Sequence, residues 1–419
     1  MEMSAGEITH RPDQGYQWKA VTLLSLGFGL VGLDRFMIIP MFPTLMKDLN
    51  LNYQDLGHIT GILAITWGIS AILTGRLSDR IGPRRVVAAA LVIFSLLAGM
   101  HGLVAGIGSL LLIRAVMGLF EGAYTPAAIV ATLEASPPER HGRNLGIQQA
   151  ALPLFGLALA PILITQLLQM ISWRAIFLAL SVPGLVIAAL IFFVVKDAPV
   201  RARAKTNGHT IERGQWRAVF GYRNIVLNIC AMFCWLTCLI VTSAMFPSYL
   251  IDYLKLDVSS MGFVLSAVGF GAALGTLITP AISDRFGRKP VMLINVVGAI
   301  AMLAILTRVG ADPVPLFIFL FGTCFFNFGM ICLTVGPLSA ESVPPHLMNT
   351  ATGVVVGIGE IFGGGIAPIV GGYVAQHFGI QYTLYLALAG LALGLLIVLG
   401  LKETAPIGRR GLPVSAEAA

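Results

Sequence analysis

Ser78-Asp79-Arg80-Ile81-Gly82-Pro83-Arg84-Arg85 returns, little changed, as Ser283-Asp284-Arg285-Phe286-Gly287-Arg288-Lys289-Pro290, 205 residues on (78 to 283) in a chain of 419. Each copy follows one long apolar run and precedes another. Glycine permits a tight turn, aspartate can cap a helix end, and clustered Arg and Lys mark one side of a membrane. A plain basic turn has no reason to recur at the matching place in both halves. The recurrence therefore divides the chain into two equivalent parts.

The surroundings of the repeat fix the class. The chain is 57% hydrophobic and 11% charged, where soluble domains carry about 25% charged residues. Apolar runs occur near 18–46, 54–77, 85–107, 110–134, 143–169, 174–195, 223–251, 257–283, 290–308, 313–338, 346–375 and 380–402. About 20 apolar residues suffice to cross a bilayer. The expectation is an all-α membrane protein with twelve transmembrane helices in two pseudo-symmetric six-helix bundles. The bundles are 18–195 and 223–402, joined by a basic linker at 196–222 and flanked by tails at 1–17 and 403–419. The polar start lacks the basic-apolar-small pattern of a cleaved signal, so the first run is expected to be retained as a helix.

Of the 27 Lys and Arg, 21 fall on the side shared by both termini, and only Lys47, Arg174, Lys255 and Arg308 on the other. The positive-inside rule then predicts cytoplasmic termini. It also accounts for the net charge of +7 without a nucleic-acid partner.

Twelve runs, a central basic linker and Gly75-x-x-x-Asp79-Arg80-x-Gly82-x-Arg84-Arg85 resemble the major facilitator superfamily of secondary transporters. The second copy departs from the pattern, with Pro280 in place of the first glycine. The resemblance implies that the loop latches the two halves on the inner side. Gly75, Asp79, Arg80, Gly82 and Arg84 are the candidates in the first copy, with Asp284, Arg285 and Gly287 as their echo.

Charges inside the apolar runs carry the functional reading. Asp34 and Arg35 lie within Val21 to Met46, and Asp34 is about 24 Å along a helix from Trp18. A charge at that depth costs about 2.5–3.5 kcal/mol on insertion scales. Helix neighbours point about 100° apart, so these two are expected to find other partners. Arg114 and Glu121, nearly two turns apart in the fourth run, share a face. Two compensating ion pairs could simply hold a bundle together. Intramembrane ionisable groups and midplane sites between repeats, however, commonly mark substrate and ion paths. Glu360, in Gly357-Ile358-Gly359-Glu360-Ile361-Phe362-Gly363, is a third acid, suited to substrate contact or to an interhelical bond. Asn327 is a cavity candidate, whereas His58 and His101, near the outer ends, are expected at the surface. Cys230, Cys234 and Cys238 recur every four residues with no histidine nearby, so packing is expected rather than a metal. The glycines around Glu360 have neither the spacing nor the preceding strand of a dinucleotide fingerprint.

The Asp34-Arg35 pair and Arg114-x-x-x-x-x-x-Glu121 resemble the anion:cation symporter branch of that superfamily. The resemblance implies that Asp34 and Glu121 carry protons, that Arg35 binds a substrate carboxylate, and that Arg114 tunes Glu121. Arg114, Glu360 and Asn327 complete the substrate site. Arginine keeps its charge and can grip a carboxylate bidentately. Two departures stand out: no tyrosine precedes Asp34, and Leu152 lies where a sugar-acid carrier places a polar side chain. The second points to a less hydroxylated or aromatic acid. No phosphate loop and no catalytic constellation occur, so an ion gradient rather than ATP is the expected drive. Neither an enzyme, a cofactor nor a metal is expected. The expected function is proton-coupled uptake of a small organic anion (a carboxylate, sugar acid or aromatic acid) across the inner, cytoplasmic membrane by alternating access. The partners are that anion, protons and the bilayer, and the working unit is a monomer. The alternative is proton-driven efflux of a drug-like compound, because Gly156-x-x-x-Ala160-Pro161 partly matches the Gly-x-x-x-Gly-Pro of efflux members.

Overall fold

A computed structural model of the chain describes residues 14–137, 140–196, 215–344 and 347–405, and among these the side chains of 72–80, 142, 215, 216 and 349 lie outside the description. The described residues form long helices with short connections. In chain order these are α1 (Gln14–Leu49), α2 (Tyr53–Ile81), α3 (Pro83–Leu103), α4 (Ile107–Glu134), α5 (Arg143–Met170) and α6 (Trp173–Val194). After them come α7 (Arg223–Tyr253), α8 (Val258–Phe286), α9 (Arg288–Leu306), α10 (Pro313–Leu338), α11 (Thr350–His377) and α12 (Tyr382–Gly400). Eleven of these, all but α2, are long and apolar enough to cross a membrane on their described residues. Large apolar side chains such as Leu112, Phe193 and Leu396 project outward, as lipid-facing helices require.

Before residue 196, α2 packs on α4, α3 on α4 and α6, and α1 on α5 and α6. After 223, α8 packs on α10, α9 on α10 and α12, and α7 on α12. The Tyr16 hydroxyl accepts from Lys196 N–H at 2.9 Å, and Asn224 bonds Lys402 in both directions at 3.0 and 3.1 Å. One end of the molecule, called here the terminal end, therefore gathers the start of α1 and the end of α6, and likewise the start of α7 and the end of α12.

The repeated turn takes one backbone form in both copies. Gly82 has φ +97° and ψ 136°, and Gly287 φ +97° and ψ 153°, a region in which a Cβ is strained. The residues after it act alike as well. Arg84 reaches the carbonyls of Phe192 and Val195 at the end of α6 at 3.5 Å, and Lys289 Nζ donates to those of Leu399 and Leu401 at the end of α12 at 2.8 and 2.9 Å. Each turn thus supplies a cation to carbonyls left open at a helix C-terminus.

Prolines shape the helices that carry charge. Pro40 brings no N–H and crowds the carbonyl four residues back, and α1 breaks at Met37, just past Arg35. Pro161 and Pro368 follow wide π-helical turns at Leu154–Leu159 in α5 and Glu360–Ile366 in α11, matching places in the two halves.

Across the 196–222 segment, α2 meets α11 and α5 meets α8. These contacts concentrate at the end opposite the termini. There Gly57 lies against the Pro368 carbonyl, Gly262 against Thr165 and the Pro161 carbonyl, and Gly372 against Tyr53. Tyr53 bonds Asp252 and Gln376 at 2.9 and 3.2 Å, and Gln166 bonds Ser259 at 3.2 Å. Toward the terminal end, a Cβ built at Gly146 of α5 or at Gly353 of α11 meets nothing within 4 Å.

Candidate functional site

Glycines bring the charged helices together midway along their length. On α1, Gly32 lies against the Leu152 carbonyl, and Gly156 of α5 against the Gly32 carbonyl. That backbone contact fixes the turn bearing Asp34 and Arg35. On α4, Gly118 and Gly122 lie against the carbonyls of Leu63 and Trp67 of α2, setting Glu121 between them. On α11, Gly365 packs on Ile65 and the Gly61 carbonyl, while the wide turn aims Glu360 at α1.

Arg35 does not pair with its neighbour Asp34. Its Nη2 donates to Glu360 Oε2 at 2.9 Å, a bond that joins α1 to α11 and therefore one half of the chain to the other. The guanidinium also lies 5.4 Å from the Trp67 ring and 5.5 Å from that of Phe36, a cation–π setting. Arg114 is 1% exposed and donates from Nη1 to the main-chain carbonyls of Asp34 and Arg35, at 3.3 and 3.2 Å. Its Nε and Nη2, both carboxylate oxygens of Glu121 and one of Asp34 are buried without a hydrogen-bond partner among the described residues. Arg35, Arg114, Asp34 and Glu121 are close enough to act on one another electrostatically. An unpaired buried polar group costs about 1–3 kcal/mol, so this cluster does not hold the bundle together at low energy.

A cavity of about 20 Å³, room for a water or two, opens beside the two arginines. Its walls include Phe36, Ile39, Leu63, Ala64 and Ile240, with hydroxyls from Thr60 and Ser243. Ser243 Oγ, on the α7 side of the space, is buried with no hydrogen-bond partner among the described residues.

Arg35, Arg114, Asp34, Glu121 and Glu360 are thus brought into one neighbourhood. Asn327 is placed elsewhere: its amide donates to the Trp235 carbonyl at 3.1 Å, tying α10 to α7, and it is absent from the cavity wall. No Arg114–Glu121 bond forms among the described residues, so any tuning of one by the other is through space. His101 overturns its expectation. It is 0% exposed, stacks on Phe177 at 5.0 Å and bonds the Leu97 carbonyl at 2.9 Å, because α6 closes over the end of α3. The surroundings of Gly75 and the side chains of Asp79 and Arg80 lie outside the description, as do most of the 196–222 linker and much of both tails.

At the second copy of the turn, Asp284 bonds Arg288 of its own half at 2.5 Å, while Arg285 and Asp284 face outward. Arg288 is the hub that sequence reading missed. It is buried, bonds Ser283 at 2.6 Å and Glu341 at 2.9 Å, and offers its main-chain N–H to Glu403 at 2.9 Å. Its replacement of Pro83 within the repeat was the available signal.

Comparison with known proteins fits this architecture. The chain is 23% identical over 396 residues to the sialic acid transporter of Escherichia coli (strain K12), covering 92% of this chain and 94% of that one. It is 25% identical over 367 residues to a "Probable 4-methylmuconolactone transporter" of Cupriavidus pinatubonensis, covering 84% of this chain and 83% of the relative. Among solved structures, a bacterial homolog of the human lysosomal transporter Spinster, in an inward-facing and occupied conformation, matches with a TM-score of 0.77 at 16% identity, over 92% of this chain and 97% of that one. These relatives are membrane transporters, not enzymes. Residues 24–361 match the model of the Major Facilitator Superfamily, and the chain belongs to that family.

Proposed function

We propose that this multi-pass transporter moves a small organic anion together with protons by alternating access, as a monomer in the cytoplasmic membrane with both termini inside. Twelve spans in two six-helix bundles, 18–195 and 223–402, would do this around the arginine pair at mid-depth. The observation that carries the reading is the convergence of Arg35 and Arg114 on one cavity, with Asp34, Glu121 and Glu360 around them. Arginines hold their charge in a low dielectric and suit a carboxylate. Carboxyls there can exchange protons, and two relatives are named for acid or lactone transport. The tight contacts at the end opposite the termini, against open space around Gly146 and Gly353, fit a carrier closed outside and open inside.

The test is uptake into proteoliposomes under an imposed pH gradient. Arg35→Ala should lower carboxylate uptake about 100-fold, the scale of losing a charge-assisted contact of about 3 kcal/mol. Arg35→Lys should restore little, because an ammonium lacks the planar fork. Near-normal uptake by well-folded Arg35→Ala would remove Arg35 from the site. Acid-driven movement in the efflux direction would replace uptake by the alternative.

A further inference from the structure

Glu360 stands where an incoming carboxylate would have to stand. It is a carboxylate on a guanidinium, buried at mid-depth, and it comes from the opposite half of the molecule. Its bond to Arg35 is a single one, Nη2 to Oε2 at 2.9 Å, although an arginine fork can hold a carboxylate by two. Among the described residues, the contacts this turn makes with α2 and α7 are with uncharged residues. Toward α2 the turn meets Ala64 and Gly68, and toward α7 its glycines Gly359 and Gly363 meet Met232 and Leu236. Arg35 from α1 is its one bonded cation among the described residues, and Arg114 from α4 borders the same cavity. Space for the carboxylate is made by Gly364: a Cβ built there lies 2.5 Å from Glu360 Oε2.

We infer that Glu360 is a resident stand-in for the substrate: it fills the anion seat of Arg35 in the unloaded carrier, and an arriving carboxylate displaces it while Glu360 takes up one proton. This rests on the transport reading above. The charges balance: Arg35 exchanges one carboxylate for another, and Glu360, deprived of its cation in a buried setting, leaves as the neutral acid. When the substrate departs, Glu360 gives up its proton and returns to Arg35. One proton therefore accompanies each carboxylate as a consequence of geometry, on the C-terminal half, in addition to whatever Asp34 and Glu121 carry. Displacement also breaks the tie between α1 and α11, so loading releases the two halves to move. The cavity wall, five apolar side chains and two hydroxyls, suits a compact monocarboxylate with few hydroxyl groups.

The full chain in lipid nanodiscs is tested with benzoate, following binding and proton uptake between pH 5.5 and 8. In the wild type, benzoate affinity should fall with rising pH, by up to about tenfold per unit for one linked proton. Glu360→Gln leaves the seat open, so at pH 8 it should bind benzoate at least about tenfold tighter than the wild type, with one proton fewer taken up. Gly364→Ala keeps every charge and crowds Glu360 off Arg35, so it should shift affinity in the same direction by less. Weaker or equal binding by both variants, or an unchanged proton count in Glu360→Gln, overturns the inference. That outcome, with Arg35→Ala still abolishing uptake, leaves the transport reading standing. Unimpaired uptake by Arg35→Ala removes both.

Discussion

Two charged clusters of similar size lie in this chain, and they are satisfied to very different degrees. At the terminal end, Arg288 bonds Asp284, Ser283 and Glu341, while Glu403 accepts the N–H groups of Arg288 and Lys289. At mid-depth, among the described residues, Arg114, Glu121 and Asp34 leave donors and acceptors unmade, and Arg35 and Glu360 form the one ion pair of the group. The first cluster has a bond for each group it buries. The second keeps charge in a costly place with bonds to spare, which suits a site that must accept a ligand and a proton in turn. Breaking each cluster should therefore damage different things.

The largest effect is expected at mid-depth. Glu121→Gln mimics the neutral acid and cannot release a proton. Counterflow of carboxylate should persist, while pH-driven accumulation should fall to equality across the membrane. Stability should change by less than about 1 kcal/mol, because the carboxylate oxygens lose no protein bonds. If Glu121→Gln still concentrates substrate as the wild type does, Glu121 carries no coupling proton.

Arg288→Met should do the reverse. Removing one partner of this partly buried ion pair costs about 2 kcal/mol, leaving Glu341 with the Thr404 hydroxyl and Ser283 with the Pro280 carbonyl as their remaining bonds. A large fall in melting temperature is expected, with the final accumulation ratio of the surviving folded carrier unchanged. A stable variant that cannot accumulate substrate would move this cluster into the transport machinery.

These two clusters were also unequally legible. Asp34, Arg35, Arg114 and Glu121 announce themselves because an apolar run makes any charge conspicuous. The turn glycines Gly82 and Gly287 were readable through their recurrence and share one backbone form. Arg288 looked like one more basic loop residue, since nothing local shows that Glu341, 53 positions on, will reach it. The partner of Arg35 was hidden for the same reason: Glu360 is 325 residues away and is aimed by a wide turn that Pro368 and three glycines create. His101 was misread because closeness to a helix end says little about exposure when another helix lies over that end. Asn327 could be placed in an apolar helix, but its choice of the Trp235 carbonyl depends on how α10 leans on α7.

The smallest expected effect sharpens the contrast at the edge of the satisfied cluster. Glu403 lies beyond α12 and accepts from Arg288, Lys289, Thr404 and Ala405 N–H groups at 2.9–3.0 Å. Burial alone would raise its affinity for a proton, yet the hydrogen bonds from Ala405, Arg288, Lys289 and Thr404 outweigh that and hold the carboxyl below its ordinary value. Its anionic form also sits at the N-terminus of α9, where a negative charge is favoured. A group depressed on folding contributes stability above its unfolded value of about 4.3 and loses that contribution as pH falls through the folded value. Wild type should therefore gain stability relative to Glu403→Gln as pH rises from below the folded value to past about 4.3, by about 1 kcal/mol on the scale of a helix cap. Above that window the difference should be constant. Paired thermal melts across the range measure it. Parallel curves at all pH values would mean that Glu403 holds α9 by packing alone, and that the terminal-end cluster owes its order to Arg288 rather than to the acids around it.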